Sequence, residues 1–166
     1  PENVRLYDTL TAEENLLFFA RLSGVPAPAR RVREVLTLLD GLPYAGRRVG
    51  GFSKGMRQRI GLAQAILHQP KVLFLDEPTS GLDPMGIRML RGLIARLNRE
   101  FGMTIFMNTH LIGEIAKTCT SIAVLGHGRL VFHDRIEAVT TRYGDDAALE
   151  DLHLSVTPSP TLAGAA

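Results

Sequence analysis

Apolar residues recur at helical spacing through the first seventy positions, and then collapse into short continuous runs. Thr11 precedes Glu14 by three, the spacing of a capping box. The helix it opens carries Leu16, Leu17, Phe18, Phe19, Ala20 and Leu22, and Gly24 and Pro26 stop it. A second helix is predicted over residues 29–40, with Val32, Val35, Leu36 and Leu39 on one face. After a loop from Gly41 to Gly51, Ser53 opens a third helix. Its stripe is Ile60, Ala63 and Leu67, and it ends near His68-Gln69-Pro70. Val72 to Leu75 then form an unbroken apolar run between Pro70-Lys71 and Pro78. Such a run reads as a strand buried on both faces of a parallel sheet. Asp83-Pro84 is a cap followed by proline at the first helical position, and starts a helix reaching about Glu100. Met89, Leu93, Ile94 and Leu97 should face inward, with Gly102 as the stop. Met103–Met107 reads as a second buried strand and 111–118 as a short helix. Ile122–Leu125 reads as a third strand, turned through Gly126–Gly128 into a fourth, Arg129–Phe132. A last helix is predicted over 135–142. Residues 1–10 show no period and read as loop, and the Pro/Ser/Ala-rich stretch 157–166 is expected to be disordered.

This pattern predicts an α/β protein: a partial parallel sheet carrying an all-helical insert. Three segments follow, a loop plus helical part over 1–70, the strand–helix part over 71–142, and a C-terminal extension over 143–166. Three or four strands are few for a doubly wound sheet. The chain opens at Pro1 inside a loop, and the remaining strands are expected upstream. With 45% hydrophobic and 22% charged residues the composition is that of a globular domain, and a net charge of +2 implies no large polyanion as partner. The single cysteine, Cys119, cannot close an internal disulfide, and is read as a packed residue of the short helix. No apolar run approaches the roughly 18 residues of a membrane span.

The candidate chemistry lies where strands end. Asp76 and Glu77 follow the apolar run directly, and ligands of open α/β sheets bind at the carboxyl ends of strands. Two carboxylates there suit a cation and a proton acceptor, as Mg2+-assisted phosphoryl transfer requires. His110 follows the second strand. Ser53 is a good N-cap and Gly55 leaves the first-turn amides open, so the third helix is either an ordinary capped helix or an anion site. Arg57 and Arg59 in its first turns oppose the helix dipole, which marks them as either functional or solvated. Asp83 is fully explained as a cap.

Four of these segments together resemble one family. Phe52-Ser-Lys-Gly-Met-Arg-Gln-Arg59 resembles the signature motif of ATP-binding-cassette (ABC) ATPases, and Val72–Glu77 their Walker B strand with its following glutamate. Ser80-Gly81-Leu82-Asp83 looks like the D-loop and Asn108-Thr109-His110 like the switch-histidine loop. They come in the family's order over about residues 1–140, which no single motif would justify. The resemblance implies a P-loop NTPase-like core with a signature subdomain, ATP and Mg2+ as ligands, and closure onto a second ABC ATPase subunit. It implies that Ser53 and Gly55 meet the γ-phosphate of ATP held by that subunit. Lys54 and Met56, which replace the common Gly and Gln, belong to the same ATP-binding stretch. Asp76 is implied as the Mg2+ ligand, Glu77 as the base, and His110 as the contact to the γ-phosphate and the attacking water. Ser80 and Asp83 would cross the dimer interface. Glu2 falls where the family presents a glutamine to Mg2+. Leu6-Tyr7-Asp8 and the helix from Thr11 resemble the part that receives integral membrane permease subunits, although a core-facing aromatic would read the same.

The family's G-x-x-x-x-G-K-[ST] loop is absent from these 166 residues. The expectation is therefore an ATP-hydrolysing transporter subunit, peripheral on the cytoplasmic face of the membrane and without nucleic-acid partners, whose present chain is truncated and inactive alone. The signature stretch and the segment Ala148-Leu-Glu-Asp-Leu-His-Leu154 look most like ATPases of bacterial ABC-2-type exporters. Two other readings stay open. One is a soluble ABC ATPase acting on ribosomes or DNA, which an upstream coiled or basic extension would favour. The other is a non-catalytic fragment that lends its signature motif to a complete partner.

Overall fold

The computed structural model describes residues 5–109 and 111–143, and the chain divides after Thr109 into two units. In the first unit the predicted helices form as α1 (Ala12–Leu22), α2 (Pro28–Leu38) and α3 (Lys54–Ile66). The capping box is complete: Thr11 Oγ1 accepts from Glu14 N–H at 3.1 Å, and Glu14 Oε2 accepts from Thr11 N–H at 2.7 Å. Two 3-10 turns, Leu42–Tyr44 and Val49–Gly51, occupy the loop between α2 and α3.

The next segment is a strand–helix–strand unit: β1 (Val72–Asp76), α4 (Pro84–Phe101) and β2 (Thr104–Asn108). β1 and β2 run parallel, in register from Val72 opposite Thr104 to Asp76 opposite Asn108. Asp83 caps α4 by accepting from Gly86 N–H at 2.8 Å, and Gly102 at φ 62° ends it in the left-handed conformation. Leu90, Ile94 and Leu97 are its buried positions, with Met89 and Leu93 half-buried beside them.

Leu16, Val35, Leu36, Ile60, Ala63, Leu73, Ile94 and Leu97 belong to one cluster, so the helical segment and the strand–helix–strand unit share a core. Arginines tie the helix ends together. Arg31 donates from Nε to the carbonyl of Leu67 and from Nη2 to that of Ile66, both at 2.9 Å, at the end of α3. Arg59 and Arg96 donate to the carbonyls of Asp40 and Leu38 at the end of α2. Cations suit these negative helix ends.

Two strand expectations are corrected. β1 is buried on one face only: Leu73 points into the core, while Phe74 is 72% exposed and Phe106 beside it on β2 is 59% exposed. The two rings stack at 5.3 Å on this open face. A continuous apolar run cannot tell whether a second layer covers its far side, and the parallel sheet among the described residues has two strands. The other two strands do not extend it.

The second unit holds α5 (Ile112–Thr118), an antiparallel hairpin of β3 (Ser121–Gly126) and β4 (Arg129–Arg135), and α6 (Ile136–Tyr143). His127 at φ 49° and Gly128 at φ 76° supply the two positive φ angles of a type I′ turn. Val139 packs there with Ala116, Ile122 and Phe132. Cys119 follows α5 rather than lying on it, half-buried, and burial pushes its thiol pKa up.

Candidate functional site

β1 ends by presenting Asp76 and Glu77 at the carboxyl edge of the parallel pair. Asp76 is exposed, and its Oδ1 accepts from Asn108 Nδ2 at 2.8 Å, straight across the register. Glu77 N–H donates to the Asn108 carbonyl at 2.9 Å, which continues the ladder one residue past the strand. Its backbone then turns to φ 44°, a left-handed conformation that costs a residue with a Cβ about 1 kcal/mol or more. The chain reverses through two overlapping turns, Ser80 N–H to the Glu77 carbonyl and Leu82 N–H to the Thr79 carbonyl, each at 3.1 Å. Thr79 is buried in this loop, and its Oγ1 has no hydrogen-bond partner among the described residues. Sequence reasoning passed over Thr79, because a threonine after proline in a loop reads as ordinary turn chemistry.

Gly81 sits at φ 65°, and a Cβ there would come within 2.5 Å of Lys54 Nζ. The side chain of Lys54 therefore lies against the 79–83 loop, bringing the start of α3 and the start of α4 to one place. Ser53 Oγ accepts from Met56 N–H at 3.3 Å as the cap of α3. Gly55 has no positive φ, and a Cβ on it would meet only Leu82 Cδ2 at 3.7 Å, an ordinary contact. Nothing among the described residues requires glycine at this helical position, where glycine costs roughly 0.5–1 kcal/mol against alanine. A bare turn at a helix N-terminus admits an anion to its amides.

The two arginines that break the dipole rule have partners within the chain. Arg57 Nη2 donates to Asp8 Oδ1 at 2.8 Å. Arg59 reaches the Asp40 carbonyl at 3.1 Å and Met89 Sδ, and lies over the Tyr44 ring. Both are anchored within the chain rather than solvated.

The structure thus brings Ser53, Lys54, Gly55 and Met56 together with the Ser80–Asp83 loop, and places Asp76 and Glu77 at the strand end before that loop. His110 and Glu2 lie outside the described residues. The groove that Asp76 lines, with Gln58, Gly61 and Pro78, holds about 60 Å3, far below the roughly 300 Å3 at which ligand pockets begin. Among the described residues no cluster of three or more His, Cys, Asp or Glu could hold a metal ion by itself. One or two hard carboxylate oxygens are nevertheless the protein share of a Mg2+ site that takes its other ligands from phosphates and water. No helix among these residues is long and apolar enough to cross a membrane.

A family model described as ABC transporter matches residues 1–80. An uncharacterized ABC transporter ATP-binding protein of Bacillus subtilis, YhcH, is 45% identical over 131 residues, which are 78% of this chain and 42% of the relative. The ABC transporter ATP-binding protein NatA of the same organism is 39% identical, over 81% of this chain and 55% of its own length. The bacitracin transport ATP-binding protein BcrA of Bacillus licheniformis is 43% identical, over 75% of this chain and 40% of its own. The chain thus spans about half the length of the curated relatives it matches. Among solved structures, cbiO1 of Clostridium perfringens, part of the ABC transporter complex cbiONQ, superposes with a TM-score of 0.76 at 27% identity. That match covers 84% of this chain and 56% of the other.

Proposed function

The chain belongs to the ABC transporter ATPase family, and from that premise we propose that it supplies the signature-motif and water-activating half of an ATP-hydrolysing transport subunit. The observation that carries this reading is the strand end where Glu77 is held at φ 44° beside Asp76 and ahead of the 79–83 loop. Ala27, Asp40, Gln69 and His127 share the left-handed conformation, so what supports Glu77 is its strained backbone together with its place beside Asp76 at the carboxyl end of β1.

The roles follow from position. Asp76, the exposed carboxylate, would hold the Mg2+ that accompanies a nucleotide, which would supply charge neutralisation at the phosphates. Glu77 orients and deprotonates the attacking water. The open first turn of α3, with Ser53, Lys54, Gly55 and Met56, receives the terminal phosphate of ATP bound on a second ABC ATPase subunit. Ser80 and Asp83 reach across that dimer, and Asp83 caps α4 as well. By the family resemblance His110 is assigned the contact to phosphate and water, and Glu2 the position of a further Mg2+ contact. ATP binding closes the dimer and hydrolysis opens it, moving separate membrane permease subunits of the two-component type. The subunit works peripherally on the cytoplasmic face of the membrane and uses no nucleic acid.

These 166 residues contain no phosphate-cradling loop, so residues 1–166 alone are expected neither to bind nor to hydrolyse ATP measurably. Mg2+-dependent hydrolysis by the purified chain, abolished by Glu77→Gln, would overturn that expectation. In a chain extended by a G-x-x-x-x-G-K-[ST] segment, Glu77→Gln should trap an ATP-bound dimer. Light scattering that finds only monomers in the presence of ATP would count against the reading.

A further inference from the structure

An aromatic face lies at the start of the chain and continues along α1. Tyr7 is half exposed, its ring edge-on to Phe18 at 5.1 Å and stacked on Phe19 at 6.1 Å. Phe18 and Leu22 are exposed beside it. The residue after Tyr7 points elsewhere: Asp8 Oδ1 accepts from Arg57 Nη2 at 2.8 Å, across 49 positions of sequence. We propose that the Asp8–Arg57 pair is a positioning link that ties the aromatic face to the first turn of α3.

The backbone makes the link stiff. Asn15, fully buried, accepts from Tyr7 N–H at 2.8 Å and donates to the Tyr7 carbonyl at 3.1 Å. On the next peptide, Gly50 N–H donates to the Asp8 carbonyl at 3.1 Å. A Cβ on Gly50 would lie 3.0 Å from that oxygen, so a side chain there would crowd the approach. Tyr7 and Asp8 are therefore held from both sides, and the Asp8 carboxylate passes their position to Arg57. Arg57 N–H in turn donates to the Ser53 carbonyl at 3.0 Å, inside the turn that carries Ser53 and Gly55. Ring, carboxylate, guanidinium and helix turn form one contiguous path, which is what energetic coupling between two sites needs. The Asp8 carboxylate is exposed and the Arg57 side chain largely covered, and a pair open to solvent on one side contributes little to stability. The inference rests on the proposed function only for what the turn does once moved.

The test uses the full 166-residue chain, isotopically labelled, with Phe18→Ala as the perturbation of the face and Tyr7→Phe as a second, milder one. Either should shift the amide resonances of Lys54, Gly55 and Met56. In an Asp8→Ala or Arg57→Ala background the same perturbation should shift them about fivefold less, and Asp8→Glu should retain most of the response. Thermal unfolding of each variant, run alongside, separates lost coupling from lost fold. Unmoved Lys54–Met56 amides in the native background overturn the proposal, and so does an equal shift in the Asp8→Ala background. The link can transmit while the dimer-trapping experiment fails, so the two readings fail separately.

Discussion

At the scale of single residues, Asn15 is the position most easily misread. It stands between Glu14 and a run of leucines and phenylalanines, where a polar residue suggests a solvent face. Instead it is fully buried, with bonds to Tyr7 N–H and to the Tyr7 and Thr11 carbonyls, the last at 2.9 Å. Asn15→Ala strands those groups and should cost about 2–3 kcal/mol in urea unfolding, with faster amide exchange at Tyr7. Arg57 and Arg59 were equally opaque, because the partner of Arg57 lies 49 residues away and those of Arg59 lie 19 and 30 away, leaving no local spacing. Asp76, Glu77 and Asp83 could be read directly, since an apolar run ending in acids and an Asp-Pro pair state their geometry locally. At Cys119 the thiolate is the reactive form and burial disfavours it. Iodoacetamide at pH 8 should therefore label the folded chain several-fold more slowly than the urea-unfolded one.

At the scale of elements, caps do most of the placing. Asp83→Ala removes the bond to Gly86 N–H and should destabilise the chain by about 1 kcal/mol. Asp83→Asn keeps an acceptor for that bond while deleting the charge. It should stay near native stability, measured by denaturant titration, while impairing any dimer that depends on the carboxylate. The cap of α1 has its own pH signature. The hydrogen bond from the Thr11 backbone, followed by that from its side chain, holds the Glu14 carboxyl below its ordinary value of 4.5. A depressed folded pKa means that the contribution is complete above 4.5, the unfolded value, and is lost as pH falls through the lower folded one. Glu14→Gln should flatten this part of the acid limb of a stability-versus-pH curve, because glutamine accepts the same bond without titrating. The hairpin turn at His127-Gly128 and the glycine stop at Gly102 were legible for the same reason as the caps: each is a local backbone requirement.

At the scale of the molecule, helix and strand positions followed from periodicity, but the number of layers did not. Periodicity records which side of a strand is apolar, and Val72–Leu75 are apolar on both. Only the fold reveals that Phe74 and Phe106 face outward. Stacked aromatics on an uncovered parallel pair should drive self-association of residues 1–166. Sedimentation should show mass rising with concentration, and Phe74→Lys with Phe106→Lys should hold the chain monomeric. The turn at Glu77 carries a different consequence, one for choosing an inactive reference protein. Glu77→Ala and Glu77→Gly delete the same carboxylate, yet only alanine keeps a Cβ at φ 44°. The glycine variant should be the sturdier of the two by about 1 kcal/mol. Under the proposed role of Glu77 as the base, a chain selected for durability alone would carry glycine at this position, and the glutamate trades robustness for activity.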